Sequence, residues 1–300
     1  MSSPSSTGGL PEGFGLIYQV ASGSRAYGLA TASSDLDIRG VCIPPPRYLL
    51  GLTPFEQWEA QSEAGETVIF ALAKFVRLAL ACNPNIIEML YTPEDSIMLI
   101  TEAGWELVAG RDLFLTRQAG RTFGEYAISQ LRRLERHHRW LMDPPDHLPT
   151  QEEFGGRATE GRFKFPDHDA QRAYQNALRH WNQYQAWVRN RNPERAELER
   201  LHGYDTKHAM HLLRLLKMGV EIMSTGQVHV YRPDREWLLA VRGGLLGYEE
   251  LLSLAAEYEM QLQDLRQTSA LPESPDAAAA EDLVVRLQGQ FMTDHWSRLQ

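Results

Sequence analysis

The 300-residue chain has little of several things that would each have settled its class. It has two cysteines, Cys42 and Cys82, far apart and without metal-ligand spacing. That removes a disulfide framework and a thiolate metal centre, and predicts two small buried residues in a reducing, cytoplasmic setting. No apolar run reaches the length of a membrane span, so a membrane partner is not expected. A Gly-Lys-Ser/Thr phosphate loop, a dinucleotide-binding glycine triplet and a Ser-His-Asp signature are all missing. Basic residues are outnumbered, 30 Lys and Arg against 39 Asp and Glu, for a net charge of −9. This excludes a protein that coats nucleic acid by bulk electrostatics, but not an enzyme that grips one strand end in a locally basic cleft. With 43% apolar and 23% charged residues, the chain has the make-up of a soluble globular protein with ample length to bury a core.

What is present is concentrated near the start. Val20-Ala21-Ser22-Gly23-Ser24-Arg25-Ala26-Tyr27-Gly28-Leu29 reads as a strand (from Leu16), a tight Gly-Ser turn and a brief helical turn. Asp35 to Ile43 follows as a second strand, stopped by Pro44-Pro45-Pro46. Asp35 and Asp37 are two apart and so share one face of that strand. Two acids side by side repel unless a cation sits between them, and oxygen-only ligands favour Mg²⁺ or Mn²⁺. Gly23 lets the backbone approach a ligand, and Ser24 adds a hydroxyl where backbone N–H groups can hold phosphate. Metal clamp and phosphate holder together are equipment for phosphoryl or nucleotidyl transfer. Arg25 and Arg39 flank the motif. Each fits either a contact to triphosphate oxygens or a structural ion pair with the acids.

Further on, a small extra strand is expected near Gln57 to Glu59. Leu72, Phe75, Val76 and Ala79 make one apolar face of a helix from Phe70 to Cys82, which Asn83-Pro84-Asn85 ends. Ile86 to Tyr91 reads as a third, mostly buried strand carrying one acid, Glu88, which must face a cation or a cleft. Beyond about residue 95 helices dominate. They are expected at Trp105–Ala109, Gly120–Trp140, Gln171–Arg191, Thr206–Ser224, Tyr248–Leu265 and Glu281–Trp296. Pro144 to Gly161 reads as an irregular linker and Val228 to Tyr231 as a short strand. On the Thr206–Ser224 helix, Lys207, His211 and Arg214 lie opposite the apolar face. They are either a solvated face or cations lining a cleft.

Hydrophobic-Gly-Ser, about ten residues, then Asp-x-Asp-hydrophobic resembles the DNA-polymerase-β-like nucleotidyltransferase superfamily. The fuller run GSRAYGLATASSDLDIRGV, with NPNIIEMLY and DTKHAMHLLRLLKMG, is similar to its bacterial YcgL/RlaP-type branch of predicted nucleotidyltransferases, some associated with RNA repair. The resemblance implies an α/β (α+β) fold, a small mixed-sheet core followed by a helical domain. The expected organisation is a leader at 1–13, a catalytic core at 14–100, a helical domain at 101–268, and a linker with C-terminal helix at 269–300. It also implies a third catalytic carboxylate, assigned to Glu88 with Glu66 as the competitor. Asp35, Asp37 and Glu88 would then bind two divalent ions. Gly23, Ser24, Arg25, Arg39, Lys207, His211 and Arg214 would hold an NTP such as ATP. The acceptor implied is a hydroxyl at an RNA 3′ end. A protein or small-molecule acceptor, or a non-catalytic nucleotide-binding sensor or antitoxin-like protein, remains open. A rival motif, Arg132 with His137, has the spacing of HEPN-type ribonucleases, a spacing that charged helices also produce by chance.

Overall fold

The computed structural model describes residues 10–32, 34–159 and 162–299. The apolar run before the Gly-Ser turn forms β1 (Gly15–Ala21), and β2 (Ile38–Ile43) follows the two acids. The strands pair antiparallel with Ala21 opposite Ile38, which brings the turn and the acids to one end of the pair. After the short α1 (Pro46–Leu49), β3 (Gln57–Ser62) and β4 (Gly65–Ala71) form a hairpin. β4 runs parallel to β2 with Thr67 opposite Ile38, and β5 (Ile97–Ile100) pairs antiparallel with β1. The order β3-β4-β2-β1-β5 makes a mixed sheet and, with the helices, an α/β fold with a helical C-terminal region.

α2 (Leu72–Leu80) buries Leu72, Phe75, Val76 and Ala79, the four residues that its periodicity selects. The next element corrects the sequence reading. The run at Ile86–Tyr91 is no strand, because α3 (Pro84–Leu90) occupies it. Asn83-Pro84 ends one helix and starts another. The Asn83 side chain accepts from the Asn85 N–H, and Pro84 takes the first helical position, where no donor is missed.

The remaining helices are α4 (Glu102–Ala109), α5 (Gln118–Met142), α6 (His168–Arg189), α7 (Pro193–His202), α8 (Thr206–Thr225), α9 (Arg235–Arg242), α10 (Tyr248–Thr268) and α11 (Ala277–Leu299). None is long and apolar enough to cross a membrane. β6 (Arg157–Thr159) and β7 (Arg162–Lys164) pair as a hairpin, so a strand begins inside the stretch expected to be an irregular linker. Val228 to Tyr231 forms no strand. The Arg232 N–H just beyond it bonds the Tyr27 carbonyl, tying the segment to the Gly-Ser turn instead of to a sheet edge. Of the expected leader, residues 1–9 lie outside the described residues, while Leu10 is buried against Cys42 and Ile69. Both cysteines are buried and free, and burial pushes the Cys42 thiol up to about 12.

The chain divides into two compact units. The first comprises Met1–Ile128, Leu212–Ala240 and Ser253–Gln300, and the second Ser129–His211 and Val241–Leu252. The first unit holds the sheet, and its core gathers Tyr18, Val20, Val41, Ile43, Ile69 and Phe75, with Leu213 and Leu216 also buried. The second unit is helical apart from its hairpin. Asp205 caps α8 there, accepting from the His208 backbone N–H at 2.9 Å and contacting the His208 ring at 2.8 Å.

Candidate active site

The Gly-Ser turn is built by hydrogen bonds from Tyr27 N–H to the Gly23 carbonyl (3.1 Å) and from Leu29 N–H to the Ser24 carbonyl (2.8 Å). Gly23 has φ +65°, and a Cβ there would lie 3.0 Å from Asp37 Oδ2. Glycine adopts that conformation without strain and allows that approach, so the turn rests directly on the second acid. The Ser22 N–H bonds the Asp37 carbonyl at 2.8 Å, extending the β1–β2 pairing by one step. Asp35 and Asp37 therefore precede the regular strand instead of lying on it, with Asp35 exposed and Asp37 half-buried. Arg25 is exposed and anchors the approach to the acids, donating to the carbonyls of Ser34 (3.1 Å) and Asp35 (3.4 Å).

β4 completes this end of the sheet. Gly65 has φ +144°, and a Cβ on it would lie 2.4 Å from the Leu36 carbonyl oxygen. That close passage sets Glu66 beside Asp37, whose Oδ1 accepts the Glu66 N–H at 3.4 Å. The Glu66 carboxylate pairs with Arg39 at 2.5 Å, both groups partly exposed. Gly23, Ser24, Asp37, Arg39 and Glu66 thus share one end of the sheet.

Glu88 sits elsewhere. It is 5% exposed, and both its oxygens are engaged. Oε1 accepts from Arg214 at 2.5 Å and Oε2 from the Tyr27 hydroxyl at 2.5 Å, with the Arg214 guanidinium 3.7 Å from the Tyr27 ring centre. Burial pushes the Tyr27 phenol well above its usual range, against the pull of Arg214. Burial alone would lower the Arg214 pKa, but the charges of Glu88 and Tyr27 outweigh it and hold the guanidinium up. Arg214 is consequently no part of a solvated stripe. It belongs to the first unit, while Lys207 and His211, both half-buried, belong to the second. Among the described residues, no group of three or more His, Cys, Asp or Glu side chains is arranged to hold a metal ion. Neither the expected trio of Asp35, Asp37 and Glu88 nor the set of Asp35, Asp37 and Glu66 forms such a group.

Sequence reasoning passed over Tyr27, although it lies three residues after Ser24 in the same turn and is an aromatic with a polar tip. It favours Glu88 over Glu66 because it reads Ile86–Tyr91 as the strand that follows the helix, where the family resemblance puts the third acid, and that run is α3.

A five-stranded mixed sheet with a Gly-Ser turn packed on an Asp-x-Asp segment places the motif of the polymerase-β-like resemblance at one end of the sheet. The family model described as "RlaP: RNA repair pathway DNA polymerase beta family" matches residues 11–286, and the chain belongs to that family. No curated protein and no solved structure gives a significant match.

Proposed function

We propose that the chain transfers a nucleoside monophosphate from an NTP to a hydroxyl of an RNA acceptor, with pyrophosphate leaving. The observation that carries this is the packing of the Gly23-Ser24 turn on Asp37, since phosphate holder and carboxylate must be neighbours for such chemistry. The family's association with RNA repair supports the choice of acceptor.

Asp35 and Asp37 supply hard oxygen donors that fit Mg²⁺ or Mn²⁺, and Glu66 is the better third carboxylate. Energetics separate it from Glu88. A partly exposed pair such as Arg39–Glu66 is worth about 0–1 kcal/mol, so Glu66 can be drawn to a cation cheaply. Taking one partner from a buried pair such as Glu88–Arg214 costs about 3–5 kcal/mol. A bound divalent ion would offset negative charge on the triphosphate and lower the pKa of the attacking hydroxyl. The turn does the rest of the positioning. Among the described residues the N–H groups of Ser24 and Arg25 make no backbone hydrogen bond, which leaves them, with the Ser24 hydroxyl, to donate to phosphate oxygens. Arg39 sits where it can pair with the triphosphate once Glu66 turns away.

The test is incubation with labelled NTPs, Mg²⁺ or Mn²⁺ and total RNA. Label moving into RNA, and lost in Asp37→Asn, is the expected result. Nucleotide binding without transfer to any acceptor would instead identify a sensor.

A further inference from the structure

The second unit carries a groove that the proposed chemistry does not use. It has a volume of about 430 Å³ and is lined by Arg133, Arg136, His137 and Trp140 of α5 and by Gln183 and Trp187 of α6. Its rings form one connected cluster. His137 stacks on Trp140 at 5.5 Å with 19° between the planes, and Trp187 lies 5.5 Å from His137 and 5.4 Å from Trp140. The Arg136 guanidinium stands 5.8 Å from the centre of Trp140, and its buried Nε has no hydrogen-bond partner among the described residues. Among the described residues, no carboxylate lines the groove. A second concavity continues along α6, sharing Gln183 and adding Arg179 and Asn182.

A groove serving only as packing would close over its aromatic rings. This one keeps Trp187 and His137 partly exposed and adds two arginines without an acid. Aromatic faces offer stacking, guanidinium groups offer contacts to phosphate, and the amides of Gln183 and Asn182 offer hydrogen bonds to base edges. Charge is distributed to match. The second unit carries 15 Lys and Arg against 14 Asp and Glu, while the first carries 15 against 25, so the acidity of the chain resides in the first unit. His137 is held neutral at physiological pH, its pKa lowered to about 4 by burial and then by Arg133, which suits a stacking role better than a charged one.

We infer that this groove binds an unpaired stretch of single-stranded nucleic acid, its bases against the partly exposed Trp187 and His137, with the buried Trp140 backing His137, and its phosphates on Arg133 and Arg136. The inference deepens the RNA-acceptor reading, on which it rests, by naming where the acceptor strand is gripped away from the acids.

The test is fluorescence anisotropy with a labelled eight-nucleotide oligoadenylate in RNA and DNA forms, without NTP or divalent metal, using the full chain. Trp187→Ala should weaken RNA binding by at least about tenfold, whereas Trp187→Phe, which keeps an aromatic face, should largely restore it. Arg133→Ala with Arg136→Ala should flatten the slope of log affinity against log salt by about 1.4, the value for two phosphate contacts to a single strand. Circular dichroism and melting temperature establish that each variant is folded. An RNA form bound more tightly than the DNA form identifies RNA as the ligand, and equal binding of the two keeps the groove as a single-strand site of either sugar. Binding unchanged in a folded Trp187→Ala, or an equally tight blunt duplex, would overturn the inference. If Trp187→Ala binds normally while RNA is still labelled, the groove assignment alone falls. If oligonucleotide binding depends on Trp187 but no nucleotide is ever transferred, only the enzymatic reading falls.

Discussion

The hydroxyl of Tyr27 donates a 2.5 Å hydrogen bond to Glu88, joining the turn that carries Gly23 and Ser24 to a buried carboxylate 61 residues later in the chain. Arg214 closes the group from α8, bonding the other Glu88 oxygen and covering the Tyr27 ring. Three elements distant in sequence thereby meet beneath the turn.

Glu88→Ala should destabilise the fold by about 3–5 kcal/mol, because it leaves the Arg214 charge buried without its counter-ion. Tyr27→Phe should cost about 1.5–3 kcal/mol, the worth of a hydrogen bond to a charged group. Urea denaturation of both variants checks this. A Glu88→Gln protein of wild-type stability that has lost all turnover would instead return Glu88 to the metal set.

Asp37→Asn and Glu66→Gln act at the end of the sheet and should leave the melting temperature near that of the wild type. Transfer should fall by more than the roughly 10–100-fold expected for losing an outer-shell partner of a metal site. Chelation should abolish transfer, and Mg²⁺ or Mn²⁺ should restore it. Initial rates of label incorporation into RNA measure each effect. Equal loss in Glu88→Gln at unchanged stability would favour the other carboxylate.

Gly65→Ala tests the close passage that sets Glu66 beside Asp37. At φ +144°, with the Leu36 carbonyl 2.4 Å from the added Cβ, the backbone must shift. A loss of about 1–3 kcal/mol is expected, the cost of forcing a side chain into such a conformation, with a fall in transfer rate as Glu66 moves. A stable, fully active Gly65→Ala would show that this contact positions nothing.

Acid should unfold the second unit in two windows. The His137 pKa is lowered to about 4 by burial and neighbouring cations. Its contribution to stability is complete above the unfolded value near 6.5 and is lost as pH falls through about 4, since the unfolded chain takes up the proton first. Burial would raise Asp205, but the His208 side chain and backbone N–H and the Arg195 charge outweigh it and lower the pKa to about 2. That contribution is complete above about 3.8 and is lost as pH falls through about 2. Urea midpoints at a series of pH values should decline in both intervals. His137→Phe should remove the upper decline and Asp205→Asn the lower one.

Much of the fold was legible because local periodicity and punctuation carry it. The apolar face of α2 follows from 3.6-residue spacing, the end of β2 from three prolines, and the Gly-Ser turn from the demand for a positive φ. Most of the element readings that failed were short apolar runs. Over the seven residues of α3 or of β4, burial on most sides erases the periodicity that separates strand from helix. In α3 the deciding signal was the Asn83-Pro84 cap, which sequence reading took only as a stop.

By itself, then, the sequence determined the Gly23-Ser24 turn, the Asp35-x-Asp37 segment after it, the helical character of the later chain and the family to which it belongs. These depend on interactions between residues close in the chain. Tertiary structure alone decided which glutamate stands beside Asp37 and which is locked away with Arg214. An acid's environment comes from strands and helices dozens of residues distant: the parallel pairing of β4 with β2 brings Glu66 to the acids, and the packing of α8 buries Glu88.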